Sequence, residues 1–325
     1  MLQQTTVEAV RRRYAPFLRR FPDVGSLARA REDAVLAAWS GLGYYARARN
    51  LRKAARKIVS RHGGSVPSDP TVLRRLPGFG EYMSSAVAAI AFGRREPAAD
   101  ANVTRVVSRL FAVPGRAGTA RHRAAVLARA SEILSDSRPG ETIAALMDLG
   151  QSICGARRPD CPRCPVATHC AGRRSGRPER YPSRSKKPRA LAVPLAAAFL
   201  ERRGRAFLVR RSSGFLAGMW EFPCGPARAG SRPAARARLS RTLKRYGLAR
   251  DAEPAAFVRH TVVNRRLEIE VFRAHGSPRR ADCAPPARWF APAELARAAI
   301  PTLTRKIARS VGFLPGSNRR KLSPS

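Results

Sequence analysis

Apolar residues recur at three- and four-residue spacing over residues 6–21 and 26–39, the period of helices with one buried face. The same spacing returns at 46–62, 70–75, 81–92, 102–112, 120–135 and 141–153. Gly and Pro punctuate these runs, as in Pro77-Gly78 and Pro114-Gly115. No strand-like alternation occurs before residue 190. Beyond it, Leu191–Leu200, Ala206–Val209, Phe257–Val258 and Leu267–Phe272 read as short strands, and Ala235–Tyr246 and Pro292–Ala299 as helices. Between the two patterns, residues 171–190 are polar, contain Pro and carry eight Lys/Arg, the composition of a linker. The pattern therefore predicts an all-α domain over 1–170, a basic linker over 171–190 and an α+β domain over 191–325.

A chain of 325 residues with 44% hydrophobic residues has ample material for two cores, which excludes wholesale disorder. No apolar run approaches the ~18 residues of a membrane span, and Met1-Leu2-Gln3-Gln4-Thr5 does not open a secretory signal. The expectation is a monomer of the cytoplasm, associated with the nucleoid, with no membrane partner. The formal net charge of +41 attracts polyanions, and nucleic acid is the default partner. Arg supplies most of the cations, so part of the excess is composition. The charge alone does not identify a partner.

Three local features carry chemistry. Cys154, Cys161, Cys164 and Cys170 form C-x6-C-x2-C-x5-C just after a helical run. Four thiols so close in the chain can wrap one metal centre with little loop entropy. A single C-x2-C favours an iron–sulfur cluster over zinc, whose all-cysteine sites usually pair two such knuckles. Leu76-Pro77-Gly78-Phe79-Gly80 makes a tight turn whose backbone N–H groups, at a helix N-terminus, suit a phosphate; an ordinary interhelical turn is the alternative. Asp100-Ala101-Asn102 opens the next helix, where Asp100 equally fits a plain N-cap.

Together these residues resemble the helix-hairpin-helix superfamily of base-excision DNA glycosylases, in the order and spacing of its endonuclease III and adenine DNA glycosylase branches. Met1–Thr5 and the run Gly41-Leu42-Gly43-Tyr44-Tyr45-Ala46-Arg47 look like the adenine branch. Residues 208–225 resemble that branch's Nudix-like C-terminal domain. The resemblance implies a [4Fe–4S] cluster on the four cysteines and double-stranded DNA with adenine opposite 8-oxoguanine or guanine as partner. It further implies Gly78 and Gly80 on the DNA backbone, and Gln3, Gln4, Thr5 and Tyr44 beside the lesion. Asp100 becomes the carboxylate facing the developing positive charge, with Asn102 arranging the pocket. Where the lyase branch has a Schiff-base lysine, this chain has Tyr82, so the implied enzyme is a monofunctional DNA N-glycosylase, a hydrolase of N-glycosyl bonds.

Two departures bear on activity. The family's general acid is a Glu two positions before the Met of the M-L-Q-Q-T motif, which here is residue 1. The expectation is an N-terminally truncated chain, inactive as it stands for want of that acid; a lesion-binding protein without catalysis is the alternative. In the C-terminal half, residues 226–246 contain no Glu, which argues against a magnesium-dependent pyrophosphatase. His260-Thr261 is followed by Val262-Val263-Asn264 where the family has Phe-Ser-His, which points to altered lesion contacts.

Overall fold

The computed structural model describes residues 1–3, 5, 7–183, 191–212, 216–225, 230–262, 264–276, 278 and 286–315, with side chains except at 251–253. Gln4, Val263, Cys283 and residues 184–190 lie outside the described residues. The chain forms two compact units, one of Lys53–Lys187 and one of Met1–Arg52 together with Pro188–Ser325.

The helices of the first half are α1 (Val7–Arg20), α2 (Val24–Arg29), α3 (Glu32–Ala38), α4 (Ala46–His62), α5 (Pro70–Leu73), α6 (Glu81–Phe92), α7 (Ala101–Leu110), α8 (Ala120–Glu132), α9 (Pro139–Ser152) and a single turn, α10 (Ala171–Arg174). The one helix expected over 26–39 is two. Asp23 caps α2 through Ser26 N at 2.6 Å, and Ala30 and Arg31 are extended before the acidic first turn of α3 starts a new helix.

Within Lys53–Lys187, Val103, Val106 and Val107 of α7 are buried with Val126 of α8 and Leu146 of α9. Two glycines let α9 approach its neighbours. A Cβ on Gly140 would stand 2.6 Å from the Ala89 carbonyl oxygen of α6, and one on Gly150 would stand 2.7 Å from Asn102 Cβ of α7. Part of the predicted linker is structured. Residues 171–174 form α10, where a Cβ on Gly172 would lie 2.7 Å from Arg109 O, and Tyr181 O accepts from Arg109 Nε at 3.1 Å. These backbone contacts, invisible in composition, fold the segment onto α7.

The second unit contains β1 (Leu191–Phe199), β2 (Glu201–Arg202), β3 (Arg205–Arg210), β4 (Trp220–Glu221), α11 (Arg232–Lys244), β5 (Ala249–Val262), β6 (Arg265–His275), β7 (Ala287–Phe290), α12 (Pro292–Arg297) and α13 (Thr302–Ser310). One sheet has the order β1-β6-β5, with β1 parallel and β5 antiparallel to β6. In the other, β3 pairs antiparallel with β2, β4 and β7. Alternation along β1 serves two cores. Val193, Leu195, Ala197 and Phe199 join the cluster that includes Leu295, Ile307 and Ala308 of α12 and α13. Ala196 and Ala198 face Leu239 and Leu243 of α11.

Met1–Arg52 belongs to this second unit through specific ties. Tyr45 OH donates to Ile300 O at 3.3 Å, Arg49 to Ala217 O at 2.7 Å and Arg305 to Ser40 Oγ at 3.2 Å, and Arg210 pairs with Asp33. The compact units part after Arg52 and before Pro188, the second parting lying inside the predicted 171–190 linker.

On β6, the buried Glu270 accepts two hydrogen bonds from Arg236 of α11, at 2.7 and 3.0 Å. The Arg236 hydrogen bonds hold its carboxyl below the ordinary range despite burial. A depressed carboxyl contributes stability that is present above the unfolded value near ~4.3 and lost as pH falls through the folded value. Arg236→Leu removes both close hydrogen bonds and leaves only Arg232, 3.9 Å away, as an ion-pair partner, so the variant should be less stable than the parent at neutral pH. Urea denaturation of the variant should show that deficit shrinking below pH ~4, where protonated Glu270 no longer needs its partner.

Candidate active site

The turn before α6 is built as a backbone donor. Gly78 has φ +85°, a left-handed conformation that favours glycine, and Phe79 N donates to Leu76 O at 3.1 Å. Leu76 is buried and anchors the turn, whereas Gly78 and Gly80 are exposed. Gly80 is the N-cap of α6 at φ −89°, ψ −178°, extended backbone open to any residue, and a Cβ there would meet nothing within 4 Å. The protein itself does not require glycine at residue 80. Close approach of an external group to the α6 N-terminus would.

Tyr82, in the first turn of α6, packs against the core containing Ala86, Ala89, Ala98 and Ile143. Its hydroxyl points to Met147 Sδ at 3.9 Å. Burial, then the nearby charge of Asp100, pushes the phenol above its ordinary range, so it stays protonated as a neutral donor. Asp100 is the N-cap of α7, as its position in the sequence predicts. Its Oδ1 accepts from Asn102 N at 2.8 Å and Val103 N at 2.7 Å, and its Oδ2 accepts from Asn102 Nδ2 at 3.3 Å. Three donors thus fix both oxygens. Asp100 and Tyr82 share one electrostatic neighbourhood.

Two arginines that sequence reasoning missed extend this network to the cysteine loop. Arg105 Nη2 donates to Asn102 Oδ1 at 3.0 Å, its Nε to Cys154 O at 2.7 Å, and Nη2 also to Gly150 O. Arg109 is buried and donates to Cys154 Sγ at 3.2 Å, Gly155 O at 2.8 Å and Ala156 O at 3.0 Å. With arginine so abundant in the chain, neither stands out in the sequence. Gly150 could have been found, as a glycine inside a helical pattern.

Cys154, Cys161, Cys164 and Cys170 line one small cavity of about 30 Å³ with Arg109 and Arg173. Burial, then the charges of the other three thiols, pushes the Cys161 thiol up, which places all four in one electrostatic neighbourhood. No three His, Cys, Asp or Glu side chains among the described residues are grouped so as to hold a single metal ion. The four cysteines border this space together. Soft thiolates around a cavity fit a multinuclear iron–sulfur group better than one zinc ion.

In the other unit, Arg47 organises the remaining candidates. It donates to Met1 O at 2.8 Å, Thr5 Oγ1 at 2.8 Å, Leu42 O at 3.0 Å and Gln3 O. The same guanidinium lies 5.7 Å from the Tyr44 ring centroid and 5.3 Å from that of Trp39. Gly41 and Gly43 have positive φ, and Tyr44 has φ +44°, so the loop presents a half-exposed tyrosine from a constrained turn. Gln3, Thr5 and Tyr44 are thus brought together around one side chain.

A model of the HhH-GPD superfamily of base excision DNA repair proteins matches residues 1–152, and a NUDIX domain model matches residues 195–310. A human adenine DNA glycosylase is 30% identical across 99% of this chain and 69% of its own length. An adenine DNA glycosylase of Mycobacterium tuberculosis is 40% identical across 58% of this chain and 60% of its own length. Among solved structures, a thermostable thymine-DNA glycosylase aligns with a TM-score of 0.48 at 25% identity, covering 54% of this chain and 80% of its own.

Gly80→Ala separates the two uses of the turn. Unfolding stability should drop by less than about 1 kcal/mol, the cost of alanine at an N-cap, while affinity for duplex DNA falls at least ~10-fold because the new methyl blocks approach to the N–H groups. Equal losses in both measurements would make the glycine purely structural.

Proposed function

The chain belongs to the adenine DNA glycosylase family, and we propose that it excises adenine placed opposite 8-oxoguanine or guanine in duplex DNA. It is a DNA N-glycosylase, combining a helical helix-hairpin-helix domain with a Nudix-like α+β domain. The observation that carries the finer reading is the Asp100 carboxylate, oriented by three donors beside the neutral Tyr82 phenol.

In this mechanism the target adenine leaves the base stack. The bond from its N9 to C1′ breaks, the base departs with a proton, and water adds to C1′ to leave an abasic site. Asp100 stands against the positive charge that develops on the sugar, as the ionised carboxylate does in glycoside hydrolysis. Asn102 holds Asp100 Oδ2, and Arg105 in turn holds Asn102. The phenol at residue 82 cannot form an imine, so no covalent lyase intermediate is expected. The departing base requires a proton from a general acid. Gly78 and Gly80 meet a phosphate, and Tyr44, Gln3, Gln4 and Thr5 meet the base opposite the target. Wedge-like contacts of this kind offset unstacking.

The four cysteines hold a [4Fe–4S] cluster in this reading. When bound, the cluster supplies a covalent cross-link among the turns of the 154–170 loop. Arg109 supports the assignment: a buried guanidinium donating to carbonyls and to Cys154 Sγ is better compensated by a thiolate than by a thiol.

Single-turnover assays on duplexes with adenine opposite 8-oxoguanine test the reading. The protein should excise adenine from this duplex. Asp100→Asn should cost at least ~10³-fold in rate while retaining duplex affinity. Duplex binding without any excision would favour a lesion-binding protein. Anaerobically purified protein should contain iron, and stoichiometric zinc without iron would refute the cluster. Duplex affinity should fall steeply with salt, with a log–log slope of about −0.9 per phosphate neutralised.

A further inference from the structure

Helix α9 is pressed against two neighbours by its glycines, Gly140 against Ala89 of α6 and Gly150 against Asn102 of α7. Met147 lies between these two contacts, three residues before Gly150 and on the same face of the helix. The half-buried Met147 packs against two cores, one holding Ala86 and Ala89 of α6 and the other Val103 and Val107 of α7. A methionine chain is flexible by itself. Here backbone contacts on either side place its sulfur.

The Tyr82 hydroxyl donates to that sulfur, Oη to Sδ at 3.9 Å, and has no other hydrogen-bond partner among the described residues. A thioether is a weak acceptor and carries no proton of its own. The strong acceptor whose charge reaches the phenol is Asp100. Its oxygens already accept from Asn102 N, Val103 N and Asn102 Nδ2. The phenol is therefore aimed without its proton being tightly held. An aliphatic chain at residue 147 would give the hydroxyl no acceptor and free it to turn. An amide would give it a strong one and compete for the proton.

We propose that Met147 is a positioning residue for excision, its sulfur aiming the Tyr82 hydroxyl so that the phenol can donate to an oxygen at the reacting sugar. This rests on the proposed excision of adenine and adds to it the group that orients the phenol. Before reaction the hydroxyl donates to sulfur. As the bond from C1′ to N9 breaks and water approaches, an oxygen becomes the better acceptor and the hydrogen bond passes to it. The gain is made in the transition state and not before it, which is the condition for raising the rate. No proton leaves the phenol in this step.

Two measurements on the full chain test it, one of them without DNA. In protein labelled with carbon-13 at tyrosine Cζ, the resonance that vanishes in Tyr82→Phe reports this phenol. It should move in Met147→Leu and in Met147→Gln while the other tyrosine resonances, which report the fold, stay in place. In single-turnover excision, Met147→Leu should cost about 3- to 10-fold in rate at unchanged duplex affinity, the worth of one ordinary hydrogen bond. Met147→Gln should cost at least ~10-fold, because its amide keeps the proton. Combined with Tyr82→Phe, neither change should cost anything further, since the hydroxyl they act through is gone. A packing role would instead subtract the same factor with or without the hydroxyl. Additive losses, or an unmoved Tyr82 resonance in both variants, would overturn the proposal and leave the excision reading standing wherever the parent excises adenine. A parent that binds duplex and excises nothing would fail that reading first, and the resonance would still report whether the sulfur holds the phenol.

Discussion

Carbonyl groups at the end of a helix have no partner further along it and must find donors elsewhere. Two guanidinium groups on α7 resolve this for the cysteine loop. Arg105 and Arg109 collect the carbonyls of Gly150, Cys154, Gly155 and Ala156, while α10 packs back onto Arg109 through Gly172. Much of the candidate active site depends on this arrangement. The helix whose N-terminus is capped by Asp100 is also the helix that holds the loop. Displacing the loop therefore moves Arg105, then the Asn102 amide, then the carboxylate oxygen that Asn102 contacts.

The other unit solves a similar problem with Arg47. Residues 1–5 and the turn at 41–44 contribute carbonyls without regular secondary structure to satisfy them, and one guanidinium accepts the task for both. Burial pushes the Arg47 guanidinium below its ordinary value, yet it has no carboxylate partner among its described hydrogen bonds; aromatic faces at Trp39 and Tyr44 take that place. Both units thus use arginine as an internal scaffold, with carbonyl oxygens and rings as its partners.

This explains which features were legible in the sequence. The cysteine spacing, the Pro-Gly turn, Asp100 as a cap and most helices are local patterns, set by residues within a few positions of one another. The arginine scaffold is not local. Arg105 reaches Cys154 across 49 residues and Arg47 reaches Met1 across 46, and nothing distinguishes these arginines from the many on the surface. The same is true of the boundary at Arg52, which exists because Tyr45, Arg49 and Asp33 find partners far along the chain. Helix α13 was missed because its apolar residues are few, although Thr304, Ile307 and Ala308 are all buried.

The positive charge consequently has two meanings. Arg47, Arg105 and Arg109 spend theirs inside the fold, and Arg236 and Arg232 spend theirs on β6, where Glu270 and Glu268 accept them. Arg236 and Arg250 also lie over the Phe272 ring at 5.6 and 5.0 Å. In a metal-dependent Nudix hydrolase the helix after the Gly-rich turn supplies carboxylates to a cation. Here α11 supplies cations to carboxylates of the sheet, so the electrostatic polarity of that helix is inverted. Restoring hydrolysis would require both acidic residues on α11 and release of Glu268 and Glu270 from their present partners. The fold has committed this helix to packing against β1 and to pairing with the carboxylates of β6.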